Sequence, residues 1–370
     1  MTSPVPAPVA AGEHPVRVGH LDGIRALAIL AVVSFHWNKG VFPGMFRGGS
    51  VGVDVFLTLS GFLITSILLR RRGTSGRQGF ARFIRARLHR LYPALAAMAG
   101  LVVVVTLAAN GTPADPLRPS VASVAVSMGQ VSWIAVTGNW GSHAQLLIHC
   151  WTLAVEWTFY AVWPWVLWRF LADRRRAWLF VVAVSVLVWL VCAAVLPWQW
   201  FYASPLARSA QLGAGCAVAL YMHERGPTRA VQGLGRTTAA SLAALSVGFL
   251  GWWTVFGPQA GASYKWFAFA LVPIATIGLI VGGFRSPLVA RLLSVPVLRG
   301  IGLASYSVYL WHVPLMLLLG HEVIGSSRGT SALLVLVTTV ALSTLSYWFL
   351  ERPYFRKRLP AAEPAHVPVE

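Results

Sequence analysis

The chain has 370 residues, of which 56% are hydrophobic and only 11% charged. Soluble domains carry about a quarter charged residues, so this composition, with a mean hydropathy of +0.66, excludes a soluble fold whose surface it cannot cover. Lys and Arg outnumber Asp and Glu by 30 to 11 for a net charge of +19, yet the cations stand in short segments between apolar runs, which is how cytoplasmic loops of membrane proteins read and not how a nucleic-acid surface reads.

A helix that crosses the hydrocarbon core needs about 20 mostly apolar residues. Ten such runs stand in chain order at 21–38, 51–69, 91–109, 147–170, 177–196, 205–222, 238–256, 264–283, 302–320 and 330–350. An eleventh segment, 119–137, is uncharged but rich in Ser, Gly, Thr and Gln. If it crossed, Arg174–Arg176 would fall outside; with ten spans every basic cluster, and both termini, face the cytoplasm. The expected fold is all-α: a polytopic integral membrane protein of about ten transmembrane helices, with 119–137 as a polar re-entrant or interfacial segment. The Pro- and Ala-rich residues 1–16 and the segment 359–370 read as disordered tails, leaving 17–358 as one membrane domain. No cleavable signal peptide is expected before the first run, and no further domain after the last. Cys150, Cys192 and Cys216 lack metal-ligand spacing, so no metal is expected.

Ionisable residues within apolar runs are costly and mark function. The first run carries Arg25 and His36, eleven residues or about three turns apart, hence on one helical face and roughly 16 Å apart along the axis. Arg25 paired with Asp22, and His36 at the interface, is the plain structural alternative. Asp54 enters the second run at the level of His36, where it either orients an imidazole or serves the helix N-terminus. Between Arg70 and Arg90 stand eight arginines in 21 residues. Within them Arg82 and Arg85, and Arg87 and Arg90, form i,i+3 pairs suited to phosphate. Glu156 is an isolated carboxylate in an aromatic-rich run, and Arg208 beside Gln211 is a cation in need of an acid. Tyr309 and His312 lie deep in the ninth run.

These residues carry a resemblance. Arg25…His36 matches the Arg-x10-His motif of the membrane acyltransferase 3 family, and Arg87…Arg90, or else Arg82…Arg85, matches its Arg-x-x-Arg motif. Gly52-Val53-Asp54-Val55-Phe56 with Leu59-Ser60-Gly61-Phe62 resembles its second-span signature. Trp151-Thr152-Leu153-Ala154-Val155-Glu156 resembles its Trp-Ser-Leu-x-x-Glu segment, with Thr152 in place of Ser. Ser305-Tyr306-Ser307-Val308-Tyr309-Leu310-Trp311-His312 resembles its late Tyr-x-x-x-Trp-His segment, and Glu351-Arg352-Pro353 its usual ending. The six motifs stand in the family's order and cover residues 20–357.

The resemblance implies an O-acyltransferase of the bacterial inner membrane. It takes acetyl-CoA or another acyl-CoA as donor and a hydroxyl-bearing acceptor, either a glycan or a macrolide, with a homodimer as an open option. On this reading Arg25, Arg82, Arg85, Arg87, Arg90, Arg208, Tyr309 and His312 hold the donor. His36 is the general base, and Asp54 or Glu156 fixes its tautomer. An acyl-His36 intermediate, or Cys150 or Ser60 as nucleophile, is the weaker route. The alternative from another class is a proton-coupled transporter using His36, Asp54, Glu156 and His312 as a relay.

Overall fold

The computed structural model describes residues 18–40, 44–70, 76–108, 121–138, 147–320, 325 and 327–353. Every regular element among them is helical. The tails expected at 1–16 and 359–370 lie outside the described residues.

Six helices are long and apolar enough to cross a bilayer. They are α2 (Val51–Arg70), α3 (Arg77–Ala108), α7 (Ala177–Val195), α11 (Arg236–Phe256), α12 (Phe269–Arg285, entered through a π turn at Tyr264–Ala268) and α16 (Arg328–Ser346, leaving through a π turn at Tyr347–Glu351). A bent pair, α14 (Pro296–Leu303) and α15 (Ser305–Leu318), makes a seventh if taken as one span broken by 67°. Ten were expected. The three that fall short are α1 (Gly19–Gly40), α6 (Trp151–Val166) and α9 (Pro205–Arg225). Polar residues dilute α1 and α9, and α6 has only 16 residues before its π turn at Leu167–Leu171. These three carry Arg25 and His36, Glu156, and Arg208. The segment 119–137 holds two short helices, α4 (Val121–Met128) and α5 (Trp133–Thr137). Gln130 at φ +58° turns the chain between them, and neither is long enough to cross. Short connectors α8 (Trp198–Ala203), α10 (Pro227–Gln232) and α13 (Pro287–Leu293) complete the described set.

The bundle is built around α2, whose apolar window is 72% buried, against 22% for α7, α11 and α16. Those outer helices turn Phe180, Leu187, Leu245, Phe256, Leu333 and Phe349 outward, as a chain does when lipid and not water is its solvent. Backbone contact, not side-chain packing, sets the two inner joints. A Cβ on Gly215 would stand 1.9 Å from the Thr58 carbonyl oxygen, so α9 lies directly on α2. A Cβ on Gly302 would stand 1.9 Å from the Asp22 carbonyl oxygen, so α14 lies directly on α1. Small residues at such crossings let membrane helices approach and bring their polar side chains within reach. The first joint faces Asp54 towards Arg208, and the second brings Arg25 to the start of α15.

Candidate active site

Three histidines from three elements meet at one point. The Nε2 of His312, on α15, lies 3.2 Å from the Nδ1 of His36, on α1, and their ring centroids are 4.8 Å apart at 72°. The ring of His149, on the 3₁₀ turn Ile148–Cys150 that opens α6, stands 5.6 Å from that of His312. His36 Nδ1 also lies 2.9 Å from the Val32 carbonyl oxygen one turn back. A carbonyl only accepts, so this nitrogen carries the hydrogen and the lone pair of the neutral ring is on Nε2. Tyr309 donates to the His149 carbonyl, and its hydroxyl shares a 2.6 Å hydrogen bond with Thr152 Oγ1. His149 Nε2 lies 3.2 Å from the Leu310 carbonyl. These bonds tie α15 to the head of α6.

His36, Ser50, His149, Thr152 and Tyr309 are on the polar side of a cavity of about 30 Å³, with Phe35 and Trp151 among its apolar walls. That is room for about one water-sized group.

Asp54 is engaged behind this cavity. Its Oδ1 accepts from Arg208 Nη1 at 2.6 Å and its Oδ2 from the Tyr264 hydroxyl at 2.6 Å, all three side chains being buried. Arg208 Nη1 also reaches Gln211 Oε1 at 3.0 Å, and its Nε donates to the Tyr202 carbonyl at 2.6 Å. Its guanidinium stacks on Tyr202 and Trp151, 4.8 and 5.2 Å from their ring centres. Both rings line the cavity. The buried pair therefore backs the wall: Asp54 is taken up by Arg208 and Tyr264, and the group that meets the His36 ring is His312.

A second polar centre lies towards the other end of α1. Arg25 Nη2 donates to Ser305 Oγ at 2.9 Å, and its Nε lies 3.3 Å from the Gly302 carbonyl. Asp22, Arg90, Glu156 and Glu351 are the charged groups whose fields act on it. Glu156 accepts from Ser60 at 2.6 Å and from Tyr160 at 2.7 Å. Its carboxylate is thereby committed to α2 and its own helix. The basic stretch divides cleanly. Arg82 and Arg85 are exposed, Arg90 is half-buried, and Arg87 is buried with its guanidinium over Phe83 and Tyr160 at 5.3 and 5.6 Å. Of the two i,i+3 pairs, Arg87…Arg90 is the one that faces the interior.

Sequence reasoning missed Tyr264 and Tyr202, the bond of Arg25 to Ser305 and the Ser307–Glu351 bond. Tyr264 and Glu351 both stand on π turns, which re-aim a side chain and often mark functional sites; no residue type announces a π turn. Glu351 was visible only as the acid of a closing motif, although it is buried.

Comparison with known proteins gives the same family on independent grounds. The family model described as an acyltransferase domain of the acyltransferase 3 type matches residues 18–348. The chain is 30% identical over 362 residues to YrhL of Bacillus subtilis, named for peptidoglycan O-acetylation, covering 92% of this chain and 55% of that protein. It is 28% identical over 358 residues to the O-acetyltransferase OatA of Staphylococcus aureus, covering 92% of this chain and 58% of OatA. The peptidoglycan O-acetyltransferase OatA of Listeria monocytogenes matches at 28% over 358 residues. The chain thus spans somewhat over half the length of the curated relatives it matches. No solved structure matches. A proton-coupled transporter finds no support: the relatives are acetyltransferases, and Asp54 and Glu156 are each locked in local bonds instead of standing in line with His36.

Proposed function

The chain belongs to the acyltransferase 3 family, and from that premise we propose that it transfers an acetyl group from acetyl-CoA to a hydroxyl of a cell-envelope glycan, with His36 as general base. The observation that carries this is the 2.9 Å contact of His36 Nδ1 with the Val32 carbonyl, which assigns the hydrogen to Nδ1 and the lone pair to Nε2 on a ring that walls the cavity.

The chemistry follows from that atom. Nε2 takes the hydroxyl proton as the acceptor oxygen attacks the thioester carbonyl carbon. The carbon–sulfur bond breaks, and the proton on Nε2 passes to the departing thiolate. Thr152 and Tyr309 place hydroxyls on the wall of the same cavity.

The donor's phosphates fit the cationic centre of Arg25, Arg87 and Arg90. Two arginines one turn apart on α3 are spaced to grip phosphate oxygens, and the exposed Arg82 and Arg85 are spare to that grip. Arg25 and His36 stand about 16 Å apart on one helix, so an extended pantetheine arm bridges the two centres. Arg208 and Asp54 shape the wall of the acyl site without touching the reacting atoms.

Ten crossings remain the topology we favour, with α1, α6 and α9 counted as polar spans inside the bundle. Both termini and the Arg87…Arg90 end then face the cytoplasm, where acyl-CoA is made, and the His36 cavity lies towards the envelope. The glycan acceptor rests on the names of the relatives.

The test is direct. The purified protein in lipid nanodiscs is given acetyl-CoA and soluble peptidoglycan fragments, and the glycan is analysed by mass spectrometry for alkali-labile O-acetyl esters. Ester formation that needs acetyl-CoA supports the proposal. No ester and no acetyl-CoA binding in a folded protein would overturn both donor and acceptor.

A further inference from the structure

We infer that His312 is a positioning residue for His36: its imidazole accepts the Nδ1 hydrogen of His36, fixes that ring's rotation, and shares the charge the ring gains during transfer. The inference deepens the proposal above and rests on His36 being the base.

Two separate backbone constraints set the direction of this hydrogen bond. The Nδ1 of His312 lies 2.8 Å from the Tyr309 carbonyl and 3.1 Å from the Val308 carbonyl. It therefore carries the hydrogen, and the Nε2 of the neutral ring holds the lone pair. The Nδ1 of His36 carries a hydrogen for the same reason, facing the Val32 carbonyl. A nitrogen with a hydrogen and a nitrogen with a lone pair then meet at 3.2 Å. The single Nδ1 hydrogen of His36 is shared in a three-centre bond, with the Val32 carbonyl at 2.9 Å and His312 Nε2 at 3.2 Å as its two acceptors. No other assignment of neutral rings satisfies all three carbonyls.

The partner's chemistry matters here. In serine hydrolases a buried carboxylate holds the base. His312 is fully buried, and a carboxylate there would place an uncompensated charge in a membrane bundle at high cost. An imidazole orients its neighbour while neutral. When His36 Nε2 takes the acceptor's proton, the Nδ1 hydrogen lies between two basic nitrogens, and the positive charge spreads over both rings. Nε2 gains one proton from the acceptor hydroxyl and gives it to the thiolate, so the pair ends with the hydrogens it began with. The titratable groups facing His312 are His36, His149 and Tyr309. Tyr309 and His149 are bonded to backbone carbonyls of each other's segments and hold the His312 turn in place.

The assay is hydrolysis of acetyl-CoA by the full chain in nanodiscs, read as thiol release, with kcat and KM measured separately. His312→Leu should lower kcat about 10- to 100-fold, the usual loss when a group that orients a reacting imidazole is removed, with KM for acetyl-CoA changed less than about threefold. His312→Gln, whose amide oxygen reaches the same place and accepts, should recover most of the loss. Adding His312→Leu to His36→Ala should cost nothing further, because a positioning residue has nothing left to position. Three results overturn the inference while sparing the base: wild-type kcat in His312→Leu, a folded Gln variant as slow as Leu, or losses that simply multiply in the double variant. Should His312→Leu fail to fold, the Gln variant and its combination with His36→Ala decide the matter. Full turnover by His36→Ala would instead overturn the base itself.

Discussion

Arg208 Nη1 lies 2.6 Å from Asp54 Oδ1, with both side chains fully buried, and this pair joins α9 to α2 directly behind the cavity wall. Burying two charges costs several kcal/mol each, and only their mutual attraction and further hydrogen bonds offset it. Tyr264, Gln211 and the Tyr202 carbonyl supply those bonds. Removing one partner leaves the other charge stranded. Asp54→Asn or Arg208→Met should therefore destabilise the protein by about 3–5 kcal/mol. Asp54→Asn combined with Arg208→Met should be milder than either alone, read as Tm in detergent. Additive losses would show that the pair does not act as a unit.

The two arginine pairs of α3 should behave differently. Arg87→Ala with Arg90→Ala removes the inward pair and should raise KM for acetyl-CoA by at least about tenfold, since a charge-assisted contact contributes roughly 1.5–3 kcal/mol. Arg82→Ala with Arg85→Ala removes only exposed charge and should leave KM within about twofold. Equal effects from both pairs would mean that diffuse positive charge, not a built site, attracts the donor.

Tyr309 is the tie between α15 and the head of α6. Tyr309→Phe loses the bonds to the His149 carbonyl and Thr152 and leaves a buried acceptor unsatisfied, a loss of about 1–3 kcal/mol. Slower turnover should accompany it, because His312 is three residues on. Thr152→Ser keeps the hydroxyl and should be near neutral. A harmless Tyr309→Phe would contradict the described site.

Glycine tests the helix joint. Gly215→Val places a side chain where the Thr58 carbonyl already stands, so α9 must leave α2 and the protein should fail to fold or lose activity entirely. Gly248→Ala on α11 meets nothing within 4 Å and should be silent in both expression and turnover.

Much of this architecture was legible beforehand, and the limits were physical. Apolar runs showed the long helices because lipid demands them. The runs read as crossings at α1, α6 and α9 are not among the six helices long and apolar enough to cross, α1 and α9 being diluted by polar residues and α6 being short. Arg25, His36, Asp54, Glu156 and Arg208 stood out because a charge in an apolar run needs a reason. Their pairings did not. Asp54 binds Arg208, 154 positions away, and Arg25 binds Ser305, 280 positions away. Such distances are set by backbone contacts at Gly215 and Gly302 that no local pattern announces. His312 was legible as a deep histidine; that it meets His36 depends on the bend between α14 and α15.

The central claim is that His36 Nε2 moves the proton. The measurement that meets it most directly is acetyl-CoA binding and acetyl-CoA turnover in the same preparation of His36→Ala and wild type. Acetyl-CoA affinity within about threefold of wild type, with turnover lower by about 10²–10⁴-fold, is the expected result for loss of a general base. Turnover within a few-fold of wild type in a folded His36→Ala protein would contradict the account.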